Sequence, residues 1–115
     1  MVSNPFRRDD ENPPVIIIGL GRFGVSVARS LVAMGQEVMA VDLDEVRVQR
    51  YADEFTHVVQ ADSTDRDALE QLGVESFDKA VIGISNNVES SVMTALALVD
   101  YEIPDIWAKA STKTQ

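Results

Sequence analysis

The stretch Val15-Ile16-Ile17-Ile18-Gly19-Leu20-Gly21-Arg22-Phe23-Gly24 joins a short β-branched run to a complete G-x-G-x-x-G. A run apolar at every position suits a strand buried on both faces of a parallel sheet. Residues 24–34 then carry Val27, Ala28, Leu31 and Met34 at helical spacing, and Gly35 stands where a left-handed helix stop belongs. Strand, glycine turn and helix in direct succession give the motif a context that an isolated match lacks.

The same alternation continues outward from that turn. Glu37–Leu43 reads as a second strand. Asp44 reads as the N-cap of a helix over 45–54, with Val48, Tyr51, Ala52 and Phe55 on one stripe. His57–Ala61 reads as a third strand. Thr64-x-x-Asp67 resembles a capping box that opens a helix over 65–72, stopped at Gly73. Lys79–Ile84 is the fourth strand. Asn86-x-x-Glu89 opens a helix over 87–101 with Val92, Leu96 and Val99 turned inward, Pro104 breaks the chain, and Ile106–Ala110 is the fifth strand. Residues 1–14, with Pro5, Pro13 and Pro14 and a mixed-charge cluster, read as a disordered tail, and 15–115 as one domain. Alternating strands and helices with short links predict an α/β, Rossmann-like fold. Its parallel sheet of about five strands has order 3-2-1-4-5, and helices cover both faces. A standard dinucleotide fold has a sixth strand, so the chain reads as truncated before it.

Composition narrows the chemistry. The chain has 115 residues, 10 Lys+Arg, 19 Asp+Glu, one His and no Cys, for a net charge of −9. Without Cys there is no disulfide scaffold, thiolate zinc site or thiol nucleophile, and a reducing, intracellular location is the default. The acidic balance argues against non-specific nucleic-acid binding, and no apolar run is long enough to insert in a membrane. The charge is uneven: residues 36–78 net −9, while 15–35, with Arg22 and Arg29 and no acid, is the only positive stretch.

Each motif residue has a physical task. Gly19 permits the tight turn, Gly21 lets backbone approach a pyrophosphate, and Gly24 lets the helix pack close to the strand. The helix N-terminus offers unpaired N–H groups and partial positive charge to phosphates. Asp42 follows Gly19 by 23 residues, the offset of an acid that accepts hydrogen bonds from ribose hydroxyls. It would repel a 2′-phosphate, so NADP is disfavoured. Asp44 serves as a helix cap, a ribose contact, or both. Arg22, inside the turn, opposes the helix dipole and so suggests an anion nearby, unless it is a solvated surface residue. Ala61-Asp62-Ser63-Thr64 ends the third strand, where Asp62 either accepts from an adenine amino group or simply shapes a turn. Ser85-Asn86-Asn87, after strand four, either lines the same crevice or caps the next helix.

Catalytic machinery is missing. The one histidine, His57, falls at the start of strand three, away from the crevice edge. There is no two-His metal spacing and no G-x-S-x-G, and the glycine turn is not the G-x-x-x-x-G-K-[ST] of a P-loop. Trp107 and the methionines read as core or interface.

Residues 15–24, with Ala40-Val41-Asp42-Leu43-Asp44, Ala61-Asp62-Ser63-Thr64, Leu72-Gly73-Val74, Phe77-Asp78 and Ile103-Pro104-Asp105-Ile106-Trp107-Ala108-Lys109-Ala110, together resemble the RCK N-terminal (TrkA-N) domain of Trk/Ktr-type potassium-uptake regulatory subunits. The resemblance implies a cytoplasmic gating subunit, not an enzyme, held at the inner face of the cell membrane through an integral-membrane channel partner. It implies homodimers, in some members octameric rings, whose geometry changes when nucleotide enters the Rossmann crevice. The Arg22-Phe23 pair resembles the Ktr-like branch, which responds to ATP and ADP, whereas the Trk-like branch often responds to NAD(H). In the Ktr-like branch that arginine is associated with nucleotide phosphates at the dimer interface. The site residues implied are Gly19, Gly21, Arg22, Phe23, Gly24, Asp42, Asp44, Ala61, Asp62, Ser63 and Ser85. Two alternatives stand beside this reading. One is the cofactor half of an NAD-dependent oxidoreductase; the other is an assembly module that keeps the fold without a ligand.

Overall fold

In a computed structural model, which describes residues 14–84 and 87–109, Val15–Ile18 (β1) lies at the centre of a five-stranded parallel sheet. The element order is β1, α1 (Arg22–Ala33), β2 (Val38–Asp42), α2 (Glu45–Tyr51), β3 (His57–Gln60), α3 (Arg66–Gln71), a 3-10 turn (Val74–Ser76), β4 (Lys79–Ile82), α4 (Val88–Asp100) and β5 (Asp105–Ala108). The strand order is β3-β2-β1-β4-β5, as the alternation predicts. The chain starts in the middle, builds outward to β3, then crosses to β4 and builds the other way. That reversal beside β1 creates the switch point at which open α/β sheets hold ligands.

The β1 run explains the packing. Val15 and Ile17 join a core with Val25, Ala28, Val38, Ala40 and Phe55, on the sheet face that carries α1 and α2. Ile16 and Ile18 join a second core with Leu69, Val74, Phe77, Ala97, Leu98 and Ile103, on the face carrying α3 and α4. Successive side chains of one strand thus feed two opposite cores. Register places Ile17 between Ala40 and Val81.

Several local expectations are corrected. The α1 helix begins at Arg22, with Gly21 as N-cap, so Arg22 lies in the first turn and not ahead of the helix. Met34 is exposed beyond the end of α1. The second helix is shorter than expected, ending at Tyr51, and Ala52 is exposed, while Phe55 still reaches the core. The cap of α3 is Asp65, accepting from the Asp67 N–H, and not Thr64. The cap of α4 is Asn87, which accepts from the Ser90 N–H. The face of α4 also differs. Val92, Leu96 and Val99 are exposed, and Thr94, Ala97 and Leu98 are the buried residues. Trp107 on the edge strand is 62% exposed and so is not core. All of the expected tail except Pro14 lies outside the described residues.

Candidate functional site

The C-terminal ends of β1, β2, β3 and β4 converge on one cavity of about 390 Å³, lined by Gly19, Gly21, Asp42, Asp44, Ala61, Asp62 and Ser63 among others. Seven of the residues picked from the sequence therefore share a single crevice. Phe23 and Gly24 lie outside it, Arg22 opens onto a neighbouring groove, and Ser85 lies outside the described residues.

Three glycines pack against one another at the base of the crevice, Gly24 from outside it. Gly19 adopts φ +107°, a conformation side chains rarely take, and its N–H donates to the Val41 carbonyl. A Cβ at Gly24 would sit 1.8 Å from the Gly19 carbonyl oxygen. The first turn of α1 therefore presses directly on the glycine turn. Gly83, just past β4, approaches within the same contact: a Cβ there would lie 3.2 Å from the Gly24 Cα. Gly83 lines the candidate site and is absent from the residues that the sequence points to. Its signal was present, a glycine directly after the apolar run Ala80-Val81-Ile82. Gly21 is different, because a Cβ there would meet nothing within 4 Å. The space over Gly21 is open, next to a helix N-terminus with no acid in its first turn and no side-chain cap. The N–H groups of that turn are free for an anionic ligand, and the residues present suit a phosphate group.

Asp42 is 8% exposed and does two jobs within the chain. Its Oδ2 accepts from the Leu20 N–H at 2.6 Å and its Oδ1 accepts from the Asp44 N–H at 2.8 Å. The carboxylate thus pins the glycine turn to the end of β2. Each oxygen has a second lone pair, so its rim can still accept from a hydroxyl in the cavity. Asp44 caps α2 by accepting from the Val46 N–H, and lines the cavity as well, so the two roles proposed for it are compatible. Arg47 bridges them loosely, its Nη1 at 3.6 Å from Asp42 Oδ2 and its Nε at 4.0 Å from Asp44 Oδ2.

The β3 side is set by its loop. Asp62 Oδ1 accepts from both the hydroxyl and the N–H of Thr64. The Thr64 hydroxyl, then its N–H, hold the Asp62 carboxyl below its ordinary pKa, against a smaller opposing effect of burial. Ser63 is buried, with its Oγ 2.7 Å from Thr94 Oγ1 on α4. That bond ties the crevice wall to the helix beneath it, and Thr94 gave no sign of the role in sequence. Asn87 and Ser90 line the far wall, so the cap of α4 faces the cavity.

Other candidates sit elsewhere. Phe23 is half-buried and packs against the α1/α2 core, with Lys109 Nζ 5.7 Å from its ring centroid. His57 lies at the N-terminal end of β3, its Nε2 3.7 Å from Glu37 Oε2, on the edge opposite the crevice. Among the described residues no three His, Asp or Glu side chains gather to hold a metal ion, and no helix is long and apolar enough to cross a membrane.

Comparisons with known proteins agree with this fold. The family model for the TrkA-N domain matches residues 15–115. The chain is 42% identical over 100 residues to Ktr system potassium uptake protein A of Bacillus subtilis, covering 87% of this chain and 45% of that protein. It is 43% identical over 94 residues to Ktr system potassium uptake protein C of the same organism, covering 82% of this chain and 42% of that one. The chain thus spans less than half the length of these relatives. Among solved structures, the NAD(P)-binding domain of an exopolyphosphatase-related protein from Archaeoglobus fulgidus superposes with TM-score 0.74 at 28% identity, over 88% of this chain and 76% of that one. The TrkA-N domain of the Escherichia coli inner membrane protein YbaL superposes with TM-score 0.72 at 18% identity, over 87% and 74% of the two chains, a likeness of fold. The chain belongs to the TrkA-N family, nucleotide-binding regulatory domains associated with potassium transport systems.

Proposed function

We propose that this domain is the nucleotide sensor of a cytoplasmic regulatory subunit that gates a potassium-uptake channel, binding ATP or ADP in preference to NAD(H). The observation that carries the reading is the open space over Gly21, flanked by free helix N–H groups and continuous with the crevice of Asp42, Asp44 and Ala61–Ser63. In this reading Gly19 and Gly21 receive the phosphates, Asp42 and Asp44 the ribose, and Ala61, Asp62 and Ser63 the adenine. Gly24 acts indirectly, by seating α1 against the turn. Ser85, outside the described residues, joins this proposal on the sequence resemblance alone. The fixed carboxylate of Asp42 supports discrimination against NADP: both oxygens are tethered by N–H donors, so the charge cannot swing away from a 2′-phosphate.

Arg22 lines the groove beside the crevice and not the crevice of its own chain, which supports a role across a seam between two copies. There it would meet the terminal phosphate of a neighbour's nucleotide, in a homodimer or a larger ring such as an octamer. Gating then requires that nucleotide bind two assembly geometries with different affinity. The names of the two Bacillus subtilis relatives, both Ktr system potassium uptake proteins, support a role in potassium uptake, and the proposed partner is an integral-membrane channel met at the inner face of the membrane. As a TrkA-N domain the module is regulatory and not catalytic, so the oxidoreductase alternative falls away.

Thermal-shift ranking of ATP, ADP, NAD, NADH and NADP tests this reading. ATP and ADP should raise Tm most and NADP least. If no adenine nucleotide stabilises the chain, or if NADP ranks first, the reading fails.

A further inference from the structure

A second concavity, about 530 Å³, lies between α1 and α2, on the far side of Gly21 from the crevice. Arg22, Arg29, Arg47 and Arg50 all line it, with the hydroxyl-bearing Ser26 and Ser30 between them, and among the described residues no acidic side chain does. Such a convergence is unexpected in a chain of net charge −9. Two of these arginines come from residues 36–78, the most acidic part of the sequence, yet the fold turns both toward this groove.

The four are not equivalent. Arg29 is committed to Glu54 through a two-pronged pair, and its cation also stands 6.0 Å from the Tyr51 ring centroid. Arg47 is shared with Asp42 and Asp44. Among the described residues Arg22 and Arg50 have no carboxylate within ion-pair distance. Two unneutralised guanidiniums, two half-committed ones and two hydroxyls suit a ligand with several negative charges spread along its length. Guanidinium forks match phosphate oxygens in pairs. Gly21 and Arg47 line both concavities, so an extended anion can pass from one to the other.

We infer that the α1/α2 groove, adjoining the nucleotide crevice, takes a polyphosphate chain with Arg50 as its anchor. The chain is the phosphate tail of a nucleotide or a separate polyphosphate, and both share the chemistry that Arg47 and Arg50 recognise. The inference does not depend on adenine or ribose being held in the crevice.

Inorganic tripolyphosphate, titrated calorimetrically into the 115-residue chain, tests the site. It should bind, and Arg50→Gln should weaken it about tenfold, the loss of one charge-assisted contact. Ser26→Glu, which sets an acid into the groove wall, should weaken it further. AMP, whose single phosphate need not leave the crevice, should bind the wild type and Arg50→Gln alike. Repeating the titration at saturating ATP separates the sources. Competition identifies the groove's chain as the nucleotide's own tail, and undiminished binding identifies a separate polyphosphate. Absence of tripolyphosphate binding, or an affinity unchanged in both variants, would overturn the inference. Failure of AMP alone would count against the crevice and leave the groove standing.

Discussion

The main-chain N–H of Leu20 donates to Asp42 Oδ2 across 2.6 Å, so the middle of the glycine turn is latched to the end of the neighbouring strand. An acid at this offset from a glycine turn is ordinarily read as a ribose acceptor. Here the same carboxylate also holds the turn in shape before any ligand arrives. Asp42→Asn keeps the shape of the side chain but leaves only one acceptor oxygen for the two N–H donors of Leu20 and Asp44. A buried donor left without a partner costs about 1–3 kcal/mol. Urea unfolding should detect that loss. In ligand titrations the variant should bind ATP and NAD more weakly while losing less affinity for NADP, since the repelling charge is gone.

Gly21 and Gly24 belong to one motif but should fail in different ways. Gly24→Ala forces a methyl to within 1.8 Å of the Gly19 carbonyl, so α1 must move off the turn. A destabilisation of about 3 kcal/mol or more is expected, at the upper end of overpacking costs. Gly21→Ala meets open space and should leave Tm nearly unchanged. It should still abolish most nucleotide affinity, because the methyl occupies the space over the helix N-terminus. Tm and Kd measured on both variants separate the two glycines.

The Ser63–Thr94 contact predicts a coupling between the crevice wall and α4. Thr94→Val strands the buried Ser63 hydroxyl and should cost about 1–3 kcal/mol. Combining it with Ser63→Ala removes both partners and should recover part of that loss. A double-mutant cycle by urea unfolding gives the coupling, and simple additivity of the two changes would contradict it.

Two carboxyls should make stability fall on the acid side. Asp62 is held below its ordinary pKa by Thr64, and Glu54 by its hydrogen bond and charge interaction with Arg29. A depressed folded-state pKa adds stability that is present above the unfolded value, about 4 for either residue type, and is lost as pH falls through the folded one. Both sites are open to solvent, so the effect should be small. Thr64→Val removes the stronger of the Asp62 donors. The Asp62 titration followed by NMR should then move up toward the ordinary aspartate range, with Glu54 unaffected.

Much of the fold is legible in the sequence because β1 is unambiguous. Four β-branched residues before a glycine turn admit one role, and the regular alternation after them sets the strand order. What was misread has a common cause. The α4 segment Val88–Asp100 carries apolar residues on nearly every face, so periodicity alone does not say that Thr94 turns inward and Val92, Leu96 and Val99 outward. In the fold Ala97 and Leu98 join the core and Thr94 meets the Ser63 hydroxyl, contacts that lie far apart in sequence. Asp62-Ser63-Thr64-Asp65 offers four possible caps in a row, and the one chosen, Asp65, depends on the other three being drawn into the crevice loop. Gly83 is far in sequence from the glycine turn, and only the pairing of β4 with β1 brings it there, whereas Asn87 lines the crevice and caps α4, the two roles its sequence position offers.

An adenine nucleotide in the crevice at the ends of β1, β2 and β3 is tested most directly by a 1H–15N NMR titration of the chain with ATP. The largest shifts should fall at the amides of Gly19, Gly21, Asp42, Asp62 and Ser63, with little change along the outward face of α4. Shifts confined to residues outside the crevice, or none at millimolar ATP, would contradict it.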